Sequence, residues 1–356
     1  MNKENGGSSM KEKLIKSFDF VKEFIKSNKA LTMKIIAVMI VIIAIVVIAS
    51  CFGGDKFGNS IGNSSNLGLV AQEGSWIYYI QMDDDEPIGI YKVKNNGKNM
   101  KKVADGQYCG LNIIGNYIYC IEYDEDKDKN NLIRMKTNGK NKETLATNID
   151  IEQTIAVGKW VYYIKNDCLY RIKLDGTDRE EISDKNIKYY HIDGNTIYYI
   201  YENDSAIYVA KMKLNGEDSQ RLLKAEDDEN YNALYVKGSK IYYIISKFDD
   251  NYDYQYYLCS VNKKGLNQKN ICKLDENIDY INMQEDAIYY TITEDYDSYL
   301  IKTIKYNGTD KEVIKKVSDL SNINITKDWV VFLGENDEYD TIMKMIELDG
   351  NEEKEL

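Results

Sequence analysis

A short apolar stretch recurs seven times along this chain: WIYYI (76–80), YIYCI (117–121), WVYYI (160–164), TIYYI (196–200), KIYYI (240–244), AIYYT (287–291) and WVVFL (329–333). Each copy is followed by a second stretch ending at a glycine: Gly97, Gly139, Gly176, Gly216, Gly265, Gly308 or Gly350. Successive glycines lie 42, 37, 40, 49, 43 and 42 residues apart. A period of this size means a solenoid, a propeller or an array, because so short a unit cannot bury a core alone and must pack on its neighbours.

The composition of the unit chooses among these. No copy carries helical apolar periodicity. Each offers four short β segments between turn residues; in the third copy they are EQTIAV, WVYYI, LYRIKL and REEI, with turns at Gly158-Lys159 and Asp175-Gly176. The second segment is apolar at nearly every position, as a strand covered on both faces requires. In the third segment the residue four before the glycine is Val93, Met135, Ile172, Met212, Val261, Ile304 or Ile346, and the next is mostly lysine. That alternation marks a half-buried strand. Four antiparallel strands per unit, seven units in succession, predict an all-β, seven-bladed β-propeller over residues 67–356 that closes as a monomer and leaves only short edges exposed.

Charge and composition narrow the function. Lys plus Arg number 46 against 58 Asp plus Glu, a formal charge of −12, the wrong sign for nucleic acid. His191 is the sole histidine, so multi-histidine metal sites are impossible and any Ser-His-Asp triad would have to use it. On the first strand of the fourth unit, His191 is expected along the central channel as a packed or solvent-bonded residue. EF-hand spacing is absent, and neither a cofactor nor a metal is expected.

Ahead of the repeats, residues 1–34 carry eight Lys against four acids, and no charge falls between Lys34 and Asp55. Residues 35–52 are long and apolar enough for an N-terminal transmembrane helix, and the lysine bias keeps the preceding segment in the cytoplasm. IASC (48–51) also resembles a lipobox, in which Cys51 would be lipidated after cleavage, so retained helix and lipoprotein signal stay as alternatives. Both predict a chain tethered to the cell membrane, with residues 53–66, rich in Gly, Ser and Asn, as a flexible linker and the repeats outside the cytoplasm. Within residues 1–34, Leu14, Phe18, Val21 and Ile25 fall at helical spacing, suiting an interfacial helix or an extension of the span.

The repeated pattern, an inner strand, an aromatic IYY strand, then LYRIKLDGT and a short strand, resembles the YWTD-type propeller of low-density-lipoprotein receptors. It is similar above all to a bacterial family of unknown function described by its likeness to the propeller of the low-density-lipoprotein-receptor-related protein. The resemblance covers roughly residues 67–356. Two departures stand out: YYI-like residues replace WTD, and there are seven units where the receptor type has six. The resemblance implies the architecture and carries over no ligand contacts and no activity.

The cysteines leave two readings open. Cys109/Cys120 and Cys259/Cys272 each bracket a hairpin and could form disulfides outside the cytoplasm, or all could be free thiols packed as small apolar residues. The loops between second and third strands belong on one rim, and they are acidic: Asp83, Asp84 and Asp85; Asp124 and Asp126; Asp249, Asp250 and Asp253; Asp295 and Asp297; Asp337 and Asp340. Tyr252, Tyr254 and Tyr296 lie among them as flat contact surfaces. Such a rim serves solubility or focuses a negative field on a partner. The expected function is a binding, sensory or scaffold module for a protein, glycan or cell-wall ligand. The alternative is a surface enzyme acting on glycans through carboxylates; against it, the acids are spread over repeated loops and not gathered in one.

Overall fold

The computed structural model describes residues 56–83, 86–248, 253–295, 298–336 and 338–356. Residues 35–52, with Cys51, lie outside the described residues. Among those described, no helix is long and apolar enough to cross a membrane.

Seven four-stranded antiparallel sheets follow one another along the chain, each made of four consecutive strands. The repeated apolar stretch is the second strand of every blade, for example Trp76–Asp83, Trp160–Lys165 and Trp329–Glu335. The residue four before each glycine stands opposite the same place on that strand: Val93 on Ile77, Met135 on Ile118, Ile172 on Val161, Met212 on Ile197, Val261 on Ile241, Ile304 on Ile288 and Ile346 on Val330. All seven pairs are buried. The alternation seen in sequence is therefore the pleat of a strand with one face in the core.

Blades join through apolar layers. Tyr79, Cys120, Tyr163, Tyr199, Tyr243, Tyr290 and Phe332 occupy equivalent positions and are fully buried. Separate clusters bridge blades two and three, three and four, four and five, five and six, and six and seven; one larger cluster spans blades seven, one and two. Cations five residues before the glycine reach across too. Arg134 Nη1 donates to Leu174 O and Arg171 Nη1 to Leu214 O, both at 2.8 Å, Lys92 Nζ to Thr137 O at 2.9 Å and Lys211 Nζ to Lys263 O at 3.0 Å. Each ties a third strand to the outer turn of the next blade.

The glycine itself is required twice over. Its N–H closes the turn between third and fourth strands by donating to the carbonyl three residues earlier, at 2.7–2.9 Å in all seven copies. Its φ lies between +75° and +86°, where a side chain is strained. It also abuts the preceding blade: a Cβ at Gly216 would overlap Ile182 O.

Residues 56–66 correct the expected flexible linker. They are packed inside the ring, with one helical turn at Ile61–Ser64, capped by Ser60 Oγ accepting from Asn63 N–H. Phe57 bridges to Val157 at the end of the third blade's inner strand, and Leu67 O accepts Gly110 N–H near the opposite end of the second blade's. The segment therefore runs along the central channel before entering the first strand, Val70–Glu73. Its asparagines bind inner-strand backbone: Asn59 Nδ2 donates to Val70 O and Leu111 O, both at 2.7 Å, Asn63 Nδ2 to Ile325 O at 2.8 Å, and Asn66 Nδ2 to Ile281 O at 2.8 Å. Asn63 Oδ1 accepts from Ile325 N–H and Asn282 Nδ2. Ile61 joins the apolar cluster of blades three and four. First and last blades share no strand, so the ring closes on side-chain packing together with this plug.

All five described cysteines are free. Ile121, not Cys120, pairs with Cys109, and Leu258, not Cys259, pairs with Cys272. Burial pushes the Cys109 and Cys259 thiols up to about 12, which keeps them unreactive.

Candidate functional site

Because every blade runs in the same sense, the seven loops between second and third strands emerge on one face, here the loop face. The glycine turns emerge on the other, the turn face. Asp83 stands opposite Glu86 at the tip of its hairpin, and Asp124 opposite Lys129. Gln107 Nε2 ties two adjacent loops by donating to Glu86 Oε2 at 2.7 Å and Glu125 Oε1 at 3.0 Å. Asp124 pairs with Lys127 at 2.7 Å, Asp295 lies 3.9 Å from Lys316, and Asp340 accepts from Asn336 Nδ2 at 3.0 Å. Asp126 and Asp253 are exposed. The structure thus distributes these acids around a rim and does not converge them on one point. Asp84, Asp85, Asp249, Asp250, Asp297, Asp337, Tyr252 and Tyr296 lie outside the described residues.

Aromatic surface accompanies the charge. Tyr254 is 40% exposed and packs against Phe248, 46% exposed, with ring centres 4.2 Å apart. Tyr339 is 82% exposed.

Sequence reasoning missed a second source of acids on this face. The connections from each blade to the next emerge there as well and supply Asp105, Asp150, Asp184 and the run Glu226, Asp227, Asp228, Glu229. The signal was present in the repeat, since a connection after the fourth strand returns to the loop face in every blade.

It also missed the cleft at the inner edge of the loop face. This cleft, about 440 Å³, lies between blades three, four and five, beside Ser65 of the plug. Glu152 comes from the connection into blade three, Lys188 and Glu202 from blade four, and Asn232 from blade five. Lys188 and Asn232 are both bulged residues: the register of the inner strand skips them, between Ile187 and Tyr189 and between Tyr231 and Ala233. A bulge breaks the pleat and re-aims a side chain. Although Glu152 is exposed overall, partial burial of its carboxyl holds the pKa above its ordinary value, with Lys188 opposing and Asp150 and Asp167 adding.

The opposite mouth of the channel holds a pocket of about 620 Å³ beside Phe57, Asn59 and Ser60, with Lys237 and Lys327 at its edge. His191 belongs to neither mouth. It is on the inner strand of blade four as expected, but its ring is buried edge-on against Tyr235 at 4.6 Å, and its Nδ1 accepts Val236 N–H at 3.3 Å. Burial drives its pKa down to about 3, so it is neutral and structural. Among the described residues, no three His, Cys, Asp or Glu side chains gather as a metal cluster.

No protein-family model and no curated protein matches the chain. Solved structures do. A puromycin-hydrolysing peptidase of Mycobacterium tuberculosis superposes with a TM-score of 0.56 at 10% identity, over 85% of this chain and 55% of that one. An oligogalacturonate lyase of Vibrio parahaemolyticus gives 0.51 at 10% identity, over 79% and 84%. A nidogen–laminin complex gives 0.44 at 13% identity, over 67% and 92%, too low to bear on the receptor-type resemblance. The chain spans about half the length of the peptidase. At such identities the likeness reaches the fold alone, and that fold is a seven-bladed propeller of four-stranded antiparallel blades.

Proposed function

We propose that this protein is a membrane-anchored binding module whose loop face, outside the cytoplasm, takes a cationic protein or wall polymer. One observation carries the reading: both kinds of connection that emerge on the loop face are rich in acids. Like charges brought together in this way raise the local potential and draw in a polycation more strongly than scattered charges would. Phe248, Tyr254 and Tyr339 supply exposed aromatic surface beside them, the residue class that dominates contact energy at interfaces. The apolar, uncharged run at 35–52 beside a lysine-rich segment supports the anchor and its orientation. Binding is preferred to catalysis because the acids are spread around the rim and the single histidine is buried and neutral.

The test is a titration of full-length protein in lipid nanodiscs with a lysine-rich polypeptide. Affinity should fall at least ~10-fold between roughly 50 and 300 mM salt, as screening shortens the reach of the field. Replacing Asp83, Asp126, Asp253 and Asp295 by Asn should weaken binding and flatten that salt dependence. Affinity unchanged by the four substitutions would leave the acidic rim a solubility device.

A further inference from the structure

Many of the described charged side chains on the loop face have a partner. Asp124 pairs with Lys127, Glu122 with Lys142 and Glu294 with Lys316. The cleft between blades three, four and five is different. Glu152, Lys188 and Glu202 all line it, and the charged group of none of the three makes a hydrogen bond or ion pair with any described residue. Lys188 is close enough to shift the Glu152 carboxyl, yet the two do not close an ion pair. Opposite charges that sense each other across an open cleft, each without a partner, leave room for a ligand carrying the complementary set.

We propose that this cleft binds a small free diamino acid, of which lysine is the simplest. The match is one of charge: two carboxylates and one ammonium on the protein, two ammoniums and one carboxylate on the ligand. Lys188, carried out of the pleat by its bulge, takes the ligand carboxylate. Glu152 and Glu202 take its two amines, and Asn232, the equivalent bulged position of the next blade, offers an amide to the same space. Tyr189, half-buried in the wall, faces the ligand's methylene chain. A volume of about 440 Å³ is within the range of small-molecule pockets. The proposal deepens the reading of the loop face as the binding face, giving that face a small-molecule specificity at its centre.

Three probes separate the groups: L-lysine, L-norleucine, which lacks the side-chain amine, and cadaverine, which lacks the carboxylate. Binding to full-length protein in nanodiscs is measured by saturation-transfer NMR and calorimetry. Lysine should bind about tenfold or more tightly than either analogue, one lost charge pair being of that order. Lys188→Met should remove the preference for lysine over cadaverine, and Glu202→Gln with Glu152→Gln the preference over norleucine. These positions are exposed, so an unchanged melting temperature shows that the fold is kept. The rim substitutions at Asp83, Asp126, Asp253 and Asp295 should leave lysine binding unchanged, which separates failure of the cleft from failure of the rim. Equal binding of the three probes, or no binding of any, would overturn the proposal.

Discussion

At the scale of single residues, two positions show how far chemistry is set by surroundings. Gly176 and Gly216 are equivalent in the repeat and share a left-handed φ, +86° and +83°. A side chain at Gly176 first meets the end of Leu145, at 3.1 Å, which can move; at Gly216 it meets the backbone carbonyl of Ile182, which cannot. Both alanine variants should lose about 1–2 kcal/mol from backbone strain, with Gly216→Ala losing clearly more; chemical denaturation of the two side by side checks the order. His191 gives a pH prediction. Its folded pKa is about 3, against about 6.5 when unfolded. Below pH 6.5 the unfolded chain takes up a proton that the folded one refuses. Stability contributed by this group is therefore complete above 6.5 and is lost as pH falls toward 3, by up to ~1.4 kcal/mol per pH unit. His191→Gln should flatten the acid side of the stability curve, and an unaltered slope would place the imidazole in contact with water.

At the scale of elements, the plug is where structure departs furthest from expectation. Removing residues 1–54 leaves every described contact of the plug in place and should not change the melting temperature. Removing residues 1–66 strips Asn59, Asn63 and Asn66 from the inner strands and Ile61 from its cluster, and should cost about 7–9 kcal/mol, at roughly 1 kcal/mol for each asparagine hydrogen bond plus the burial of Ile61. Equal stability of the two truncations would mean the ring closes without it. The blades were legible because their second strands and turn glycines repeat seven times, and periodic signals reinforce one another. The plug was not, because it occurs once and its composition is that of a linker. Gly62 shows why: it reads as a flexible residue, yet a Cβ there would land on Asn282 Oδ1 and Met283 O, so it is a close-packing residue. Asn59, Asn63 and Asn66 likewise read as solvated until the carbonyls they satisfy are brought beside them. The acidic loops were legible one by one from sequence. The cleft was not, since Glu152, Lys188 and Asn232 come from three blades and two of them depend on bulges that no alternation pattern announces.

At the scale of the whole molecule, the fold sorts chemistry onto two faces: acids and exposed aromatics where the loops emerge, glycine turns with a mixture of lysines and acids where the strands turn back. The central claim is that the loop face is the face that binds. Hydrogen–deuterium exchange of the full-length protein in nanodiscs, with and without a saturating lysine-rich polypeptide, tests it most directly. The account predicts slower exchange at the loop-face connections, residues 122–130, 202–205 and 225–230 above all, with the turns around Gly97, Gly216 and Gly265 unchanged. Protection confined to those turns, with the loops exchanging as before, would contradict it.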